Sequence, residues 1–296
     1  RLELKHLRTM YDQLAQRRIA VSTSPFVAVD GLSAYLADYP HLCTEQVVSA
    51  AMPALLGGAH PEFALMPADQ VKTSTNNALG ELRSRQNSDG GFGTWLATPD
   101  VDPFVSAYAT LYLIEANERG QTVPRDLLDA ANRYLRSMAA DRALTSQTQL
   151  RARALAVYLL IRQGQNANNL LAGVREQLER DFPKRWQQDD ATAMLLAASH
   201  RLLQQDKPAN SLVAVVFPRV NAAKPARAFA YADYYDPGIA QGWSLYLLYK
   251  HFPEQARRLG SSAIDRLLSP LRDDSYNTLS SAFILLTLEA YGAAQT

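Results

Sequence analysis

The feature that most constrains this chain is its helical hydrophobic periodicity. Apolar residues recur at steps of three and four in segments such as 104–118, 150–162, 191–204 and 278–291, the spacing that gives a helix an apolar face. No segment alternates apolar and polar residues between hairpin turns, as a half-buried strand would. The sequence therefore predicts an all-α fold.

Similar stripes cover most of the rest of the chain, which gives about 13 helices of ordinary length. They lie at about 4–18, 28–38, 44–56, 69–85, 124–138, 167–180, 209–217, 238–251 and 258–269. One pair of helices takes about 40–50 residues, which is typical of helical arrays. Several helices are apolar on more than one side, and an open solenoid would leave part of that apolar surface exposed to solvent. The pattern therefore favours a closed α/α toroid.

Composition narrows the class of protein further. No linker rich in Gly, Ser or Pro divides the chain, so we expect a single domain over residues 1–296. The 30 basic and 29 acidic side chains leave a net charge of +1, which provides no electrostatic footprint for nucleic acid or an anionic membrane. No apolar run reaches the ~18 residues of a transmembrane helix. The chain opens without Met or a signal peptide, so we expect a piece excised from a longer protein.

The single cysteine, Cys43, excludes an internal disulfide and a four-thiolate metal site. It lies in the string Tyr39-Pro40-His41-Leu42-Cys43-Thr44-Glu45-Gln46. Pro40 disfavours helix at the residue before it, so the next helix should begin near Cys43. Gln46 is three residues on and shares a helical face with Cys43. A thiolate favoured by the helix N-terminus can attack the Gln46 amide carbon, expel ammonia and leave an internal thioester, although this spacing also arises by chance.

A second motif is the turn in Gln86-Asn87-Ser88-Asp89-Gly90-Gly91-Phe92-Gly93-Thr94-Trp95. The Asp-Gly-Gly triplet predicts a tight turn with positive φ at its glycines. We expect Phe92 and Trp95 to anchor this turn in the core, which is a structural role.

Together these motifs resemble a known family. The string from Tyr39 to Gln46 resembles the thioester motif of the α2-macroglobulin and complement family, whose bacterial members typically read Tyr-Pro-x-Gly-Cys-x-Glu-Gln; Leu42 stands where glycine is usual. Residues 86–95 resemble the Gln-x-x-Asp-Gly-Gly-Phe-Gly-x-Trp turn of bacterial thioester domains, and residues 102–108 resemble the helix that follows it. The resemblance implies an α/α toroid of about six helix pairs within a larger multidomain protein.

The resemblance also implies a function. Bacterial members are periplasmic, often lipid-anchored, and trap attacking proteases when a bait region is cleaved. By this likeness Cys43 and Gln46 form a β-cysteinyl-γ-glutamyl thioester that acylates a lysine amine of the protease. Tyr39 matches the tyrosine that shields the bond, and Glu45 either polarises the site or caps the positive end of the helix. The domain is then a single-turnover trap and not an enzyme. It needs no cofactor or metal.

The partners implied are target proteases and neighbouring macroglobulin domains of the same parent chain, with no nucleic acid and no direct membrane contact by this domain. Some complement members use a downstream histidine to steer reaction toward hydroxyls. Here no histidine lies between 61 and 199, so we expect direct aminolysis, with amines preferred. His41 is either a general base or a solvated loop residue.

Three alternatives remain open from the residues. The chain could be an inert helical scaffold in which Cys43 does not react. It could instead be a glycosidase or lyase on the same toroid, using paired carboxylates, although such pairs also cap helices; the candidate pairs are Asp100 with Asp102, Asp189 with Asp190, and Asp273 with Asp274. A tyrosine cluster before Asp236 either lines a ligand groove or packs between inner helices; its members are Tyr231, Tyr234 and Tyr235.

Overall fold

The computed structural model describes residues 25–59, 68–222, 234–273 and 275–295. Regular structure in these ranges is helical, apart from one isolated antiparallel bridge between Gln86 and Phe92. The described α-helices are α1 (Ala28–Ala37), α2 (Thr44–Ala59), α3 (Ala68–Arg85), α4 (Pro103–Glu118), α5 (Arg125–Ala140), α6 (Gln147–Arg162), α7 (Asn168–Asp181), α8 (Asp190–Leu202), α9 (Asp206–Val220), α10 (Pro237–His251), α11 (Pro253–Ala256), α12 (Ser261–Leu267), α13 (Ser269–Arg272) and α14 (Thr278–Gln295). The prediction of an all-α fold is confirmed.

Within the described ranges, six helices form a closed inner ring. In ring order they are α2, α4, α6, α8, α10 and α14, and α14 packs back against α2. Helices α1, α3, α5, α7 and α9 lie outside, each against inner helices, and the short α11 and α12 cover the outside of α10. This is the α/α toroid of about six pairs that the sequence predicts.

Burial separates the inner helices from the outer ones. In α4 every residue from Val105 to Ala116 is buried, and in α8 every residue from Ala191 to His200 is buried. The outer helix α5 buries only one stripe, which consists of Leu127, Ala131, Leu135, Met138 and Ala139. Helices that are apolar all round pack in the interior, whereas amphipathic helices face solvent. The helices that are apolar on more than one side, such as α4 and α14, accordingly belong to the inner ring.

The amino-terminal ends of five inner helices meet at one end of the ring, which we call the mouth. The residues that immediately precede these helices define it: Cys43 for α2, Asp102 for α4, Asp189 for α8, Asp236 for α10 and Asn277 for α14. Hydrogen bonds join these ends directly, including Asn277 Nδ2 to Asp236 Oδ2 at 2.8 Å. The Cys43 motif therefore lies at the mouth, beside the starts of other ring helices.

One predicted helix is wrong as a single element. The stripe at 258–269 is divided among short helices, with α12 covering Ser261–Leu267 and α13 covering Ser269–Arg272. Gly260 precedes α12, and Pro270 lies within α13, where its missing N–H prevents a continuous ladder. The predicted helix at 4–18 lies outside the described residues. Among the described helices none is long and apolar enough to span a bilayer.

Candidate functional site

Cys43 is the residue that caps the amino terminus of α2. Its carbonyl oxygen accepts the backbone N–H of Val47 at 2.9 Å, which is the first hydrogen bond of the helix. Gln46 Oε1 accepts the backbone N–H of Cys43 at 2.9 Å. This is one half of a capping box, in which the third helical residue reaches back to the cap. The Gln46 carboxamide is therefore folded back onto Cys43 instead of extending into solvent.

The thiol of Cys43 is free and buried, with 8% of the residue exposed. Burial raises the pKa of the Cys43 thiol, and this outweighs the lowering by backbone N–H groups of Gln46 and Glu45. The sequence interpretation, in which the helix N-terminus favours a thiolate, is wrong in its net direction. Those N–H groups act as expected, but removing a charge from water costs more than they recover.

Glu45 points into the ring and is 1% exposed. Its carboxylate accepts the hydroxyl of Ser49 at 2.7 Å and that of Thr278, on α14, at 2.9 and 3.0 Å. Ser49 Oγ also lies 3.0 Å from the Tyr108 hydroxyl of α4. Burial raises the pKa of the Glu45 carboxyl, and the two hydroxyls partly oppose that rise. Glu45 and Ser49 together thus tie three ring helices to one another at the level of Cys43.

The turn at 86–95 holds the loop that carries Cys43. Thr44 donates its backbone N–H to Thr94 O at 2.8 Å and its hydroxyl to Gly93 O at 2.5 Å. The buried guanidinium of Arg85 donates to Leu42 O at 2.8 Å. Thr44 is therefore fastened to this turn and Leu42 to the residue that directly precedes it, so the second motif and the end of α3 together clamp the first motif.

The interior of the turn requires glycine and phenylalanine. Gly90 has φ +93°, and a Cβ there would lie 2.0 Å from Ala130 O. Phe92 is fully buried, and its N–H bonds the Ser106 hydroxyl at 3.0 Å. The expectation that Trp95 also anchors the core is wrong, because Trp95 is 58% exposed. The carbonyls of the two residues before it bind Thr44, and the chain then leaves the core.

Tyr39 lies in the loop between α1 and α2. Its ring packs edge-on against Tyr35, with centroids 5.7 Å apart, and against His41 at 5.8 Å. His41 is exposed, in agreement with the solvated-loop interpretation, and Leu42 is 55% exposed. The role of Tyr39 as a shield for the reactive pair stays a prediction.

Three carboxylates of the acidic pairs cap helices or pair with an arginine. Asp102 caps α4 through the Val105 N–H at 2.9 Å, and Asp189 caps α8 through the Thr192 N–H at 3.1 Å. Asp190 accepts from Arg219 Nε at 2.6 Å. Asp274 lies outside the described residues. In the described ranges no group of His, Cys, Asp and Glu is placed to hold a metal ion.

Sequence reasoning missed several residues at this site. Arg85 directly precedes the turn motif, and this adjacency is the one feature of the sequence that could have indicated its place at the site. Thr278 is 233 residues from Glu45, and nothing local in the sequence connects them. In the tyrosine cluster, Tyr235 donates to Asp189 at 2.9 Å and stacks under Arg151, and Tyr231 lies outside the described residues.

Comparison with known sequences supports the resemblance. No family model matches the chain. A protein named alpha-2-macroglobulin homolog from Yersinia pestis is 40% identical over 287 residues, which are 97% of this chain and 14% of that protein. The alpha-2-macroglobulin of Pasteurella multocida is 35% identical over 302 residues, 96% of this chain and 16% of that protein. The chain belongs to the α2-macroglobulin family. It spans about one seventh of the length of the curated macroglobulins it matches.

Solved macroglobulin structures share its fold. Native alpha-2-macroglobulin from Escherichia coli, from domain MG7 to the C-terminus, superposes with a TM-score of 0.71 at 18% identity, covering 88% of this chain and 42% of that one. Salmonella alpha-2-macroglobulin reacted with methylamine gives a TM-score of 0.69 at 21% identity, covering 88% and 17%. At these identities the likeness concerns the fold.

Proposed function

We propose that this chain is the thioester domain of a bacterial α2-macroglobulin. Cys43 and Gln46 form an internal thioester that acylates lysine amines of attacking proteases, in a single turnover and in the periplasm. The parent chain supplies the bait region and the neighbouring macroglobulin domains.

The observation that carries this proposal is the placement of the Gln46 carboxamide. Its oxygen bonds the Cys43 backbone N–H at 2.9 Å, so the amide group and the thiol belong to one capping turn. Because the nucleophilic side chain belongs to the cap residue and the carboxamide folds back onto that residue, the two reacting groups come together at little cost in conformational entropy.

The chemistry balances without a cofactor. In the first step Cys43 Sγ bonds to Gln46 Cδ, the Cδ–Nε2 bond breaks, and ammonia leaves with the thiol proton. In the second step the nitrogen of a lysine amine bonds to Cδ and the C–S bond breaks. The sulfur leaves as thiolate and takes up the proton that the amine loses.

Burial suits this mechanism because it slows the second step, the attack on the thioester, until the site is opened. A thiol whose pKa is raised by burial is a poor leaving group, so the thioester resists stray nucleophiles. Beside it Leu42, Trp95 and Leu96 are exposed at 55%, 58% and 70%. We propose that a neighbouring macroglobulin domain covers these side chains and that protease cleavage removes this cover.

The names of the structural neighbours point the same way. The Salmonella protein is described as reacted with methylamine, and Escherichia coli proteins as activated by trypsin or by porcine elastase. Those statements concern proteins of the same fold. They support amine reactivity and a protease trigger for this chain.

The test uses the full-length parent protein and intact mass. A thioester makes the protein lighter by about 17 Da than the free Cys43 and Gln46 form. Exposure to radiolabelled methylamine and to glycerol should label only with the amine and release one thiol per molecule. The matched control is Cys43→Ser, which should show neither mass deficit nor label. We expect this chain by itself to hold the two groups close together but unbonded.

The contrary results are distinct. Equal uptake of methylamine and glycerol would contradict direct aminolysis. A parent protein with full mass and no amine uptake would leave the alternative of an inert helical scaffold.

A further inference from the structure

The segment Tyr234-Tyr235-Asp236 connects the starts of the inner helices across the mouth. Asp236 caps α10 through the Ile239 N–H at 2.8 Å and also accepts from Asn277 before α14. Tyr235 bonds the cap residue of α8 and stacks on Arg151 of α6. One short segment therefore touches the amino-terminal ends of most of the ring.

Tyr234 reaches to the other side of the opening. Its ring stacks on Phe104 of α4, with centroids 5.3 Å apart and planes at 21°, and Phe104 in turn stacks on Tyr108 at 5.9 Å. Helices α4 and α10 are not neighbours in the ring, since α14 and α2 lie between them. The contact between Tyr234 and Phe104 therefore bridges the mouth.

The backbone of Tyr234 is strained in this position. Its φ is +50°, in the left-handed region that costs a bulky side chain of order 1–3 kcal/mol. Such conformations persist where the surroundings hold them in place. The contacts of Tyr235 and Asp236 provide that support and aim the Tyr234 ring over the opening.

Two chains of contacts lead from this segment to Glu45, which is two residues from Cys43 in the same first turn of α2. Through α4, Phe104 stacks on Tyr108, whose hydroxyl meets Ser49, the partner of Glu45. Through α14, Asp236 binds the residue that precedes Thr278, and Thr278 binds Glu45. Burial, followed by the charges of Asp102, Cys43 and Glu45, raises the pKa of Tyr234 to about 12.

We propose that Tyr234 is a shielding residue that closes the mouth side of the Cys43–Gln46 pair and excludes water from it. This rests on the proposed thioester function, which it deepens. The ring does the shielding, because it stacks on the aromatic face of Phe104 and so lies across the mouth. Water that reaches a thioester hydrolyses it, so a wall on this side favours capture of an amine over loss of the acyl group.

The test exploits the single cysteine, whose alkylation has no background from other thiols. Cys43 in this chain is alkylated with iodoacetamide across a pH series and followed by intact mass. Tyr234→Ala should raise the plateau rate about tenfold, because a buried thiol becomes accessible. Tyr234→Phe should keep the wild-type rate. A change in thiol pKa alone would move the midpoint of the profile and leave the plateau unchanged.

Two further variants separate shielding from loss of structure. Tyr234→Gly removes the ring and also suits φ +50°, so it should be as reactive as Tyr234→Ala with an unchanged or higher unfolding midpoint. Tyr291→Ala removes a half-buried tyrosine from the far end of α14, about 20 Å along the helix from Thr278, and should leave the rate unchanged.

The outcomes distinguish this proposal from the function on which it rests. Plateau rates within about twofold of wild type for both Tyr234→Ala and Tyr234→Gly would overturn the shielding role. Acceleration in the chain, with faster thioester hydrolysis in the parent carrying the same change, supports it. If the wild-type parent shows no mass deficit, the thioester function fails, whereas the alkylation rates still decide whether Tyr234 covers Cys43.

Discussion

Burying the Glu45 carboxylate beside Cys43 costs free energy of folding. Glu45 has almost no contact with water, and its oxygens accept hydroxyls from Ser49 and Thr278. Neutral hydroxyls replace only part of the hydration that a carboxylate loses on burial. This is why burial raises the pKa of Glu45. The charged form therefore weakens the folded state next to Cys43.

The pH dependence of stability follows from that direction. A carboxyl whose folded pKa lies above its ordinary value of 4.5 stabilises the fold when protonated, and that contribution is lost as the pH rises through the folded pKa. Glu45→Gln should therefore become more stable relative to wild type as the pH rises from 4.5 toward neutral. Urea unfolding at several pH values measures the difference.

The matched control for this prediction is Glu176→Gln, at an exposed glutamate on α7. Its difference from wild type should not change with pH in the same way. A Glu45→Gln curve parallel to wild type across the series would show that burial of this carboxyl has no energetic consequence.

At the scale of elements, the clamp between the turn at 86–95 and α2 depends on a close approach of two backbone segments. A Cβ on Gly93 would lie 1.9 Å from Leu96 O, while the Gly93 carbonyl accepts the Thr44 hydroxyl. The turn can hold the Cys43 loop only because glycine at position 93 leaves room for the backbone at Leu96, which folds back against it. Its geometry is thus coupled to the start of α2.

Gly93→Ala should therefore destabilise the protein by about 3 kcal/mol through strain at this turn. Chemical unfolding gives the loss, and faster alkylation of Cys43 should accompany it. Gly80→Ala is the control, because Gly80 lies inside α3 with nothing within 4 Å of an added Cβ. That change should stabilise by about 0.5–1 kcal/mol. Equal effects of the two substitutions would refute the clamp.

Across the whole molecule, the two ends of the ring are built differently. The mouth is joined by hydroxyls, amides, capping carboxylates and the single ion pair of Arg151 with Asp189, whereas the opposite end is closed by a buried network of several ion pairs. There Glu115 pairs with Arg119 and with Arg162 Nη1 at 2.7 Å, and Arg119 also pairs with Glu289. Burial alone would raise the pKa of Glu115, but the charges of Arg162, Lys250 and Arg119 hold it well below its usual range.

Glu115→Gln should cost about 3–5 kcal/mol, because it leaves buried guanidinium groups without their counter-charge. Since the folded pKa of Glu115 is lowered, the wild type keeps this contribution at neutral pH and loses it as the pH falls through that value. Urea unfolding at neutral and acidic pH measures both effects. Asp126→Asn breaks a solvent-exposed pair with Arg83 and should leave the unfolding midpoint nearly unchanged. Equal midpoints for the two variants would contradict a closing role for the network.

The sequence by itself determined what depends on neighbours along the chain. Helical periodicity located the inner helices because most of the residues that they bury are apolar or small. The three-residue spacing of Cys43 and Gln46 was sufficient to predict their proximity, since one capping turn contains both. The tight turn at 86–95 could likewise be predicted from its Asp-Gly-Gly triplet.

Tertiary structure decided everything that depends on packing between distant segments. The exposure of Trp95, the net rise of the Cys43 pKa, the bond between Glu45 and Thr278 and the reach of Tyr234 to Phe104 all arise from closure of the ring. Solvation and electrostatic field at a residue are sums over its spatial neighbours. Those neighbours come from segments as far apart as α2 and α14, and no local pattern records them.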